Sequence, residues 1–254
     1  MKVSVVIPVY NEEKYIKNCL EHIFKQEELP DEVIIVDNNS TDGTVELALK
    51  YPVRIVRENQ QGTIQARNTG FDEAKYSIIA RTDADTAVPV DWIKKIKEHF
   101  KDKNLVALSG PSYFSDIPDV FQVSDLPTVV FFKSFKKISG HHLLYGPNMA
   151  LRKSAWSLIK DETCKRDDEV HEDIDIALHI IKIGEIKFDS TLIVTSSPRR
   201  WKKFKPYVEY PYRYIKTILK HQESIMSANG KGIVKKVVPE RILKVLSEFP
   251  TRNI

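Results

Sequence analysis

The chain has 254 residues, 42% hydrophobic and 29% charged, a composition that excludes a disordered or collagen-like polymer and a length that can bury a sizeable core unaided. Two cysteines, Cys19 and Cys164, lie far apart without a neighbouring Cys or His pattern, so neither a disulfide framework nor a Cys-based zinc site is expected, and a reducing cytoplasm suits them. The net charge of +4 conceals a split: Arg199 to Ile254 carries 14 Lys and Arg against 4 Asp and Glu, whereas positions 1–198 carry 25 against 31.

The opening Met1-Lys2-Val3-Ser4-Val5-Val6-Ile7-Pro8 has a short apolar run and no small-residue cleavage site, so it reads as a first strand over 3–9 and not as a leader. No apolar run approaches the roughly 18 residues of a membrane span. A helix over 12–25 follows, with apolar residues at Tyr15, Ile16, Cys19, Leu20, Ile23 and Phe24. Val- and Ile-rich runs at 32–37, 53–57 and 76–82 read as further strands, with helices over 44–50 and 64–74 between them. Apolar strands alternating with helices predict an α/β fold, a mainly parallel sheet covered on both faces. Ligands in such sheets bind beyond the C-terminal strand ends, where the polar clusters at 10–12, 37–40, 58–61 and 83–85 fall. A helix over 91–100 and a strand over 105–109 come next, then a Pro-broken stretch over 111–140 that suits a substrate-facing loop or short helices. Order resumes at 145–151, with helices over 154–159 and 173–183 and a short β pair made of 186–188 and 192–195. The basic tail closes the chain.

Three acidic groups carry candidate chemistry. Asp83 and Asp85, two apart after a buried strand, either form a solvated turn or share a cation, and carboxylates beside a diphosphate suit Mn2+ or Mg2+. Asp37 ends a strand ahead of Asn38, Asn39 and Ser40, a turn with caps whose first carboxylate can accept hydrogen bonds from a base or ribose. Glu172, Asp173 and Asp175 open a helix; the helix dipole favours such charges, yet three in four positions exceed what capping requires. A carboxylate fixed on such an element is also placed to take a proton from a hydroxyl.

These segments, 3–12, 37–44, 66–70, 83–85, 146–150 and 172–175, occur in the order seen in family 2 glycosyltransferases of the GT-A fold, and the resemblance covers roughly residues 1–198. It implies inverting transfer of a sugar from a nucleotide-diphosphate sugar, UDP or GDP, to a hydroxyl acceptor. By it, Pro8, Tyr10, Glu12, Asp37, Asn39, Arg67, Asp83, Ala84 and Asp85 bind the nucleotide sugar, with the metal on Asp85 and Asp83. Asp173 is the general base, and Asn148, Glu172 and Trp201 serve the acceptor. Arg199 or Arg200 would clamp the diphosphate or stay as surface charge. Two departures stand out: Asn38 replaces a second acidic residue, and the Q-x-x-R-W motif of processive synthases is absent. A single-transfer enzyme follows, with residues 1–110 as the nucleotide-sugar half, 111–198 as the acceptor half and 199–254 as an extension. A nucleotidyltransferase would need a Gly-rich phosphate loop where Pro8-Val9-Tyr10-Asn11-Glu12 stands, and a non-catalytic binding module would not need the three carboxylates together.

His141 and His142 read as structural or as facing the metal or acceptor, and Trp92 and Trp156 as packing residues. The tail's Tyr207, Tyr210, Tyr212 and Tyr214 among basic residues suit a glycan or lipid-linked acceptor on an anionic inner membrane face, the body of the protein, or a second copy in a homodimer. Charge alone would speak for nucleic acid.

Overall fold

The computed structural model describes residues 1–115, 126–199 and 205–221. The four strands of the first half, β1 (Val3–Val9), β2 (Glu32–Asp37), β3 (Arg54–Arg57) and β4 (Ile78–Arg81), run parallel in the order β3-β2-β1-β4. The sheet then continues through β8 (Met149–Arg152), β6 (Leu105–Ser109) and β9 (Glu185–Phe188); β8 is antiparallel to both neighbours and β9 parallel to β6. A second, three-stranded sheet orders β5 (Thr86–Ala87), β10 (Val194–Ser196) and β7 (Ser112–Phe114) as β5-β10-β7. The 186–188 and 192–195 runs therefore do not pair with each other as the sequence suggested. The first is the edge of the main sheet and the second the centre of the small one, because the residues between them turn through Asp189 and Leu192.

Period-two alternation sends each strand's side chains to two different cores. Val3, Val5, Ile7 and Val9 face one core with α1 (Ile16–Phe24) and α4 (Trp92–His99), while Val6, Ile34 and Val36 face the other. The second core is closed by α3 (Thr63–Glu73), α6 (Lys153–Ile159), α7 (Glu172–Ile180) and α8 (Lys205–Lys220), the last through buried Tyr214 and Ile218. Among the described residues are also the short α2 (Thr44–Ala48) and the 14-residue α5 (Leu126–Ser139), and α5 is longer than the loop or short helices expected in that stretch. Each fully buried Val, Ile or Leu contributes about 1.5–3 kcal/mol. Gly70 lets α3 lie directly on the sheet: a Cβ there would stand 2.3 Å from a Val6 methyl and 2.8 Å from one of Val36.

Pro8 explains where the sheet opens. Val9 accepts from the Asn38 amide on the β2 side and Val6 from the Thr82 amide on the β4 side, so the even residues of β1 turn toward β4. The β1–β4 register ends at Val6 opposite Arg81, and the missing amide of Pro8 falls just beyond it. Proline ends the ladder without leaving a donor unpaired, and the two strands part. A cleft lined by Pro8, Val9, Arg81 and Asp83 begins at that gap.

Candidate active site

A cleft of about 410 Å³ opens at the C-terminal ends of β1 and β4. One wall comes from strand ends: Pro8, Tyr10, Glu12, Asp83, Ala84 and Asp85. The facing wall comes from the start of α7, with His171, Glu172 and Asp173, and from Tyr145 and Gly146. Arg199 and, from α8, Arg213 and Tyr214 close the rim.

Arg81, the last residue of β4, ties the walls together. Its side chain is 3% exposed, and it donates to Asp83 Oδ1 at 3.1 Å and to Glu172 Oε1 at 2.6 Å. Burial works against the charge on Glu172, but Arg81, then His171 and Arg67, outweigh it and hold the carboxyl well below its usual range. Arg81 is correspondingly held above the ordinary guanidinium range despite its own burial, chiefly by Glu172 and Asp83. Gly146 completes this seat: a Cβ there would come within 3.1–3.2 Å of the guanidinium.

Asp173 is nearly as enclosed. Its Oδ2 accepts from the Gly146 amide at 2.9 Å, and its Oδ1 from the Ile174 amide at 2.7 Å and from His171 Nδ1. Burial alone would lower the His171 imidazole; Asp173 overcomes it and raises it. His171 is held from behind by α8, where Thr217 Oγ1 accepts from its backbone amide at 2.7 Å and the Tyr214 ring meets it edge-on at 4.7 Å. On the other wall Arg199 bridges Asp85, at 2.9 Å, and Glu12, lying over the Tyr15 ring.

The carboxylates fit a divalent cation. Glu12 and Asp85 already share one positive group in the Arg199 guanidinium, and Glu12 Oε2 is buried without a hydrogen bond among the described residues. Hard oxygen donors of this kind suit Mn2+ or Mg2+.

Several expected residues stand elsewhere. Asp37 is buried with Oδ1 accepting from the Ser40 amide at 3.0 Å, closing its own turn, and does not line the cleft. Asn39, in the left-handed region at φ 67°, donates to the Asn59 carbonyl. Arg67, fully buried beneath the cleft and pushed down to about 10 chiefly by that burial, donates to the Glu172 carbonyl at 2.7 Å. Asn148 is buried with all its amide atoms satisfied, by the indole of Trp92 at 2.9 Å and the carbonyls of Pro111 and Leu192. Trp92 and Trp156 are core residues, and neither His141 nor His142 lines the cleft. Arg200 and Trp201 lie outside the described residues, as do 222–254.

Sequence reasoning missed Arg81 and His171, while Asn38 holds a turn and α8 packs on the body, as two of its readings allowed. Asn38 donates to the Glu58 and Gln60 carbonyls at 2.8 Å each and accepts from the Gly62 amide at 2.8 Å, binding the turn after β2 to the loop before α3. A carboxylate cannot donate, so the departure from the acidic pattern has a local reason. For Arg81 the signal was its spacing, two residues before Asp83 at the end of β4.

Among solved structures, the chain is similar to mannosyltransferase PcManGT from Pyrobaculum calidifontis in complex with GDP-Man and Mn2+, at TM-score 0.69 and 21% identity, over 97% of this chain and 68% of that one. It is similar also to Staphylococcus aureus TarS 1–349 in complex with UDP-GlcNAc, at TM-score 0.70 and 19% identity, over 93% of this chain and 71% of that one. By sequence it is 35% identical over 123 residues to glycosyltransferase GlyG of Streptococcus pneumoniae, covering 46% of this chain and 41% of that protein. Over 116 residues it is 35% identical to the dolichol-phosphate mannosyltransferase of Pyrococcus furiosus, covering 43% of this chain and 33% of that one. The chain thus spans less than half the length of these two relatives. The family model described as Glycosyl transferase family 2 matches residues 4–158, more than half of the chain. On that match, and with the sheet order and cleft of a GT-A fold, the chain belongs to glycosyl transferase family 2.

Proposed function

We propose that this chain transfers a sugar, with inversion, from a nucleotide-diphosphate sugar to a hydroxyl acceptor. The observation that carries the reading is the Arg81 bridge, which sets the strand-end carboxylates and the Glu172–Asp173 turn across one cleft at fixed distance. Pro8, Tyr10 and Glu12 line the nucleotide side, with Asp37, Asn39 and Arg67 shaping it from behind. Asp83 and Asp85 would hold Mn2+ or Mg2+. A divalent ion there supplies positive charge to the diphosphate leaving group.

Asp173 takes the acceptor's proton. Its Oδ2 accepts one amide hydrogen bond, and a carboxylate oxygen has room for a second donor, the acceptor hydroxyl. Attack from that wall, opposite a leaving group held at the Asp83–Asp85 wall, inverts the anomeric carbon. Arg199, which now holds Asp85, would clamp the diphosphate if a cation took over that carboxylate, and Arg200 is kept for the same role on sequence alone. Asn148 serves the acceptor side indirectly through the floor it holds, Glu172 flanks the acceptor, and Trp201 is kept for it on sequence alone. The donor we favour is a UDP-sugar, with a GDP-sugar as the alternative, as relatives of both kinds support.

A lipid-linked or other glycan precursor fits the basic tail, which would rest on the anionic inner face of a membrane. No helix among the described residues is long and apolar enough to cross a membrane. Tyr214 and Ile218 of α8 are buried in the body, so membrane or homodimer contact is proposed for residues 222–254 from their sequence alone. Thermal-shift screening of UDP- and GDP-sugars with and without Mn2+, followed by transfer assays with Asp173→Asn, tests the reading. Stabilisation that ignores the metal, or full turnover by the variant, would sink the metal or base assignment respectively. Liposome sedimentation of the full chain against one ending at His221 tests the tail, and equal binding to anionic vesicles would end the membrane reading.

A further inference from the structure

Behind the cleft, α7 and α8 bury a second cluster of titratable groups that the proposed transfer does not use. Asp175 and His179 lie one turn apart on α7, and His221 follows the C-terminal end of α8. Their exposures are 0%, 5% and 8%, and none lines the cleft. His221 Nε2 stands 3.0 Å from Asp175 Oδ1 and 3.2 Å from His179 Nε2, and His179 Nε2 is 3.9 Å from Asp175 Oδ1. In a tetrahedral zinc site with bonds of about 2.0–2.1 Å, neighbouring ligand atoms sit about 3.3 Å apart. The three atoms are spaced as such ligands are.

The far side of one imidazole points the same way. His221 Nδ1 meets the Thr217 carbonyl at 2.8 Å, whereas His179 Nδ1, with the Glu162 carboxylate 3.3 Å away, makes no hydrogen bond among the described residues. The carbonyl at His221 Nδ1 places the proton there and leaves its Nε2 lone pair for a metal, as in carboxylate–histidine–metal arrangements. Two imidazole nitrogens and a carboxylate oxygen thus face one point, and Asp175 Oδ1 is buried without a hydrogen bond among the described residues. One divalent ion satisfies all three atoms at once.

We propose that Asp175, His179 and His221 form a structural metal site for Zn2+, separate from the cleft. Two imidazoles and a carboxylate are the donors a borderline ion prefers, unlike the oxygen donors of the cleft. The metal fastens the end of α8 to α7. It thereby fixes Thr217 and Tyr214 behind His171 and holds Arg213 on the rim.

The full chain, purified without chelator, should hold close to one equivalent of zinc by mass spectrometry. After stripping and refolding with Co2+ it should show tetrahedral visible absorption. His179→Gln and His221→Gln should each abolish both signals, while the double variant Asp83→Asn, Asp85→Asn should keep them, which separates this site from the cleft. Circular dichroism checks that the variants fold; if they do not, the wild-type zinc content and cobalt spectrum decide. A folded wild-type chain with neither signal overturns the proposal and leaves a proton-sharing cluster, and so does metal retained by both histidine variants.

Discussion

On the strand-end wall of the cleft, Asp85 and Glu12 share Arg199, whose side chain is still 31% exposed; on the helix wall, Glu172 shares Arg81, which is 3% exposed. Both are carboxylate–arginine pairs, yet the first can exchange its partner for a ligand and the second cannot without leaving a charge buried. In the proposed reading, the wall that meets a variable donor has a replaceable Arg199 contact. The wall that would place one proton acceptor is fixed from several directions, by α3 through Arg67, by β4 through Arg81 and by α8 through Thr217.

Breaking the helix wall at its chemistry should have the largest effect. Asp173→Asn is expected to lower kcat by about 10²–10⁴ with little change in donor KM, the scale of a lost general base, in a steady-state transfer assay. Breaking the wall at its anchor should appear in stability: Arg81→Met leaves Glu172 and Asp83 without their counter-charge and should cost about 3–5 kcal/mol, read from the urea midpoint at unchanged slope. On the strand-end wall, Arg199→Ala should leave stability within about 1 kcal/mol of wild type, because the pair is partly exposed. It should instead weaken diphosphate binding by about 1.5–3 kcal/mol, roughly tenfold to a hundredfold by calorimetry.

The smallest effects sharpen the contrast through pH. Glu172 is depressed in the folded state, so its contribution is full above an unfolded carboxyl pKa of about 4.3 and is lost as pH falls toward the folded value. His171 is raised, so its contribution is full below an unfolded imidazole pKa of about 6.5 and is lost as pH rises through the folded value. Denaturant midpoints across pH should show both slopes in the wild type, the alkaline one flattened in His171→Gln and the acid one in Arg81→Met.

The parallel half of the sheet was legible because each strand is a dense apolar run with a turn at its end, and burial on both faces leaves such runs few alternatives. Asp83, Asp85 and Asp173 were legible as charges out of place. Asp37 and Asn148 look the same in sequence whether they face a ligand or satisfy their own loop, and only packing separates Asn148 under Trp92 from an exposed amide. Arg81 was hidden by context: a guanidinium at the end of a core strand shows its purpose only once Glu172, 91 positions later, is placed beside it. The pairing of β10 was misread because proximity in sequence favoured β9, while its true partners lie at 86–87 and 112–114.

That pairing carries a further consequence. Ser196 is matched to Thr86, and the next amide, Ser197, donates to the carbonyl of Asp85 at 3.1 Å, so three residues beyond the strand Arg199 arrives opposite the Asp85 side chain. The reach of that arginine is counted in residues from β10. A deletion or insertion of one residue at Ser197 or Pro198, in a stretch that looks like ordinary connecting loop, would carry the guanidinium out of range of both Glu12 and Asp85. Length here is as much a part of the site as residue identity.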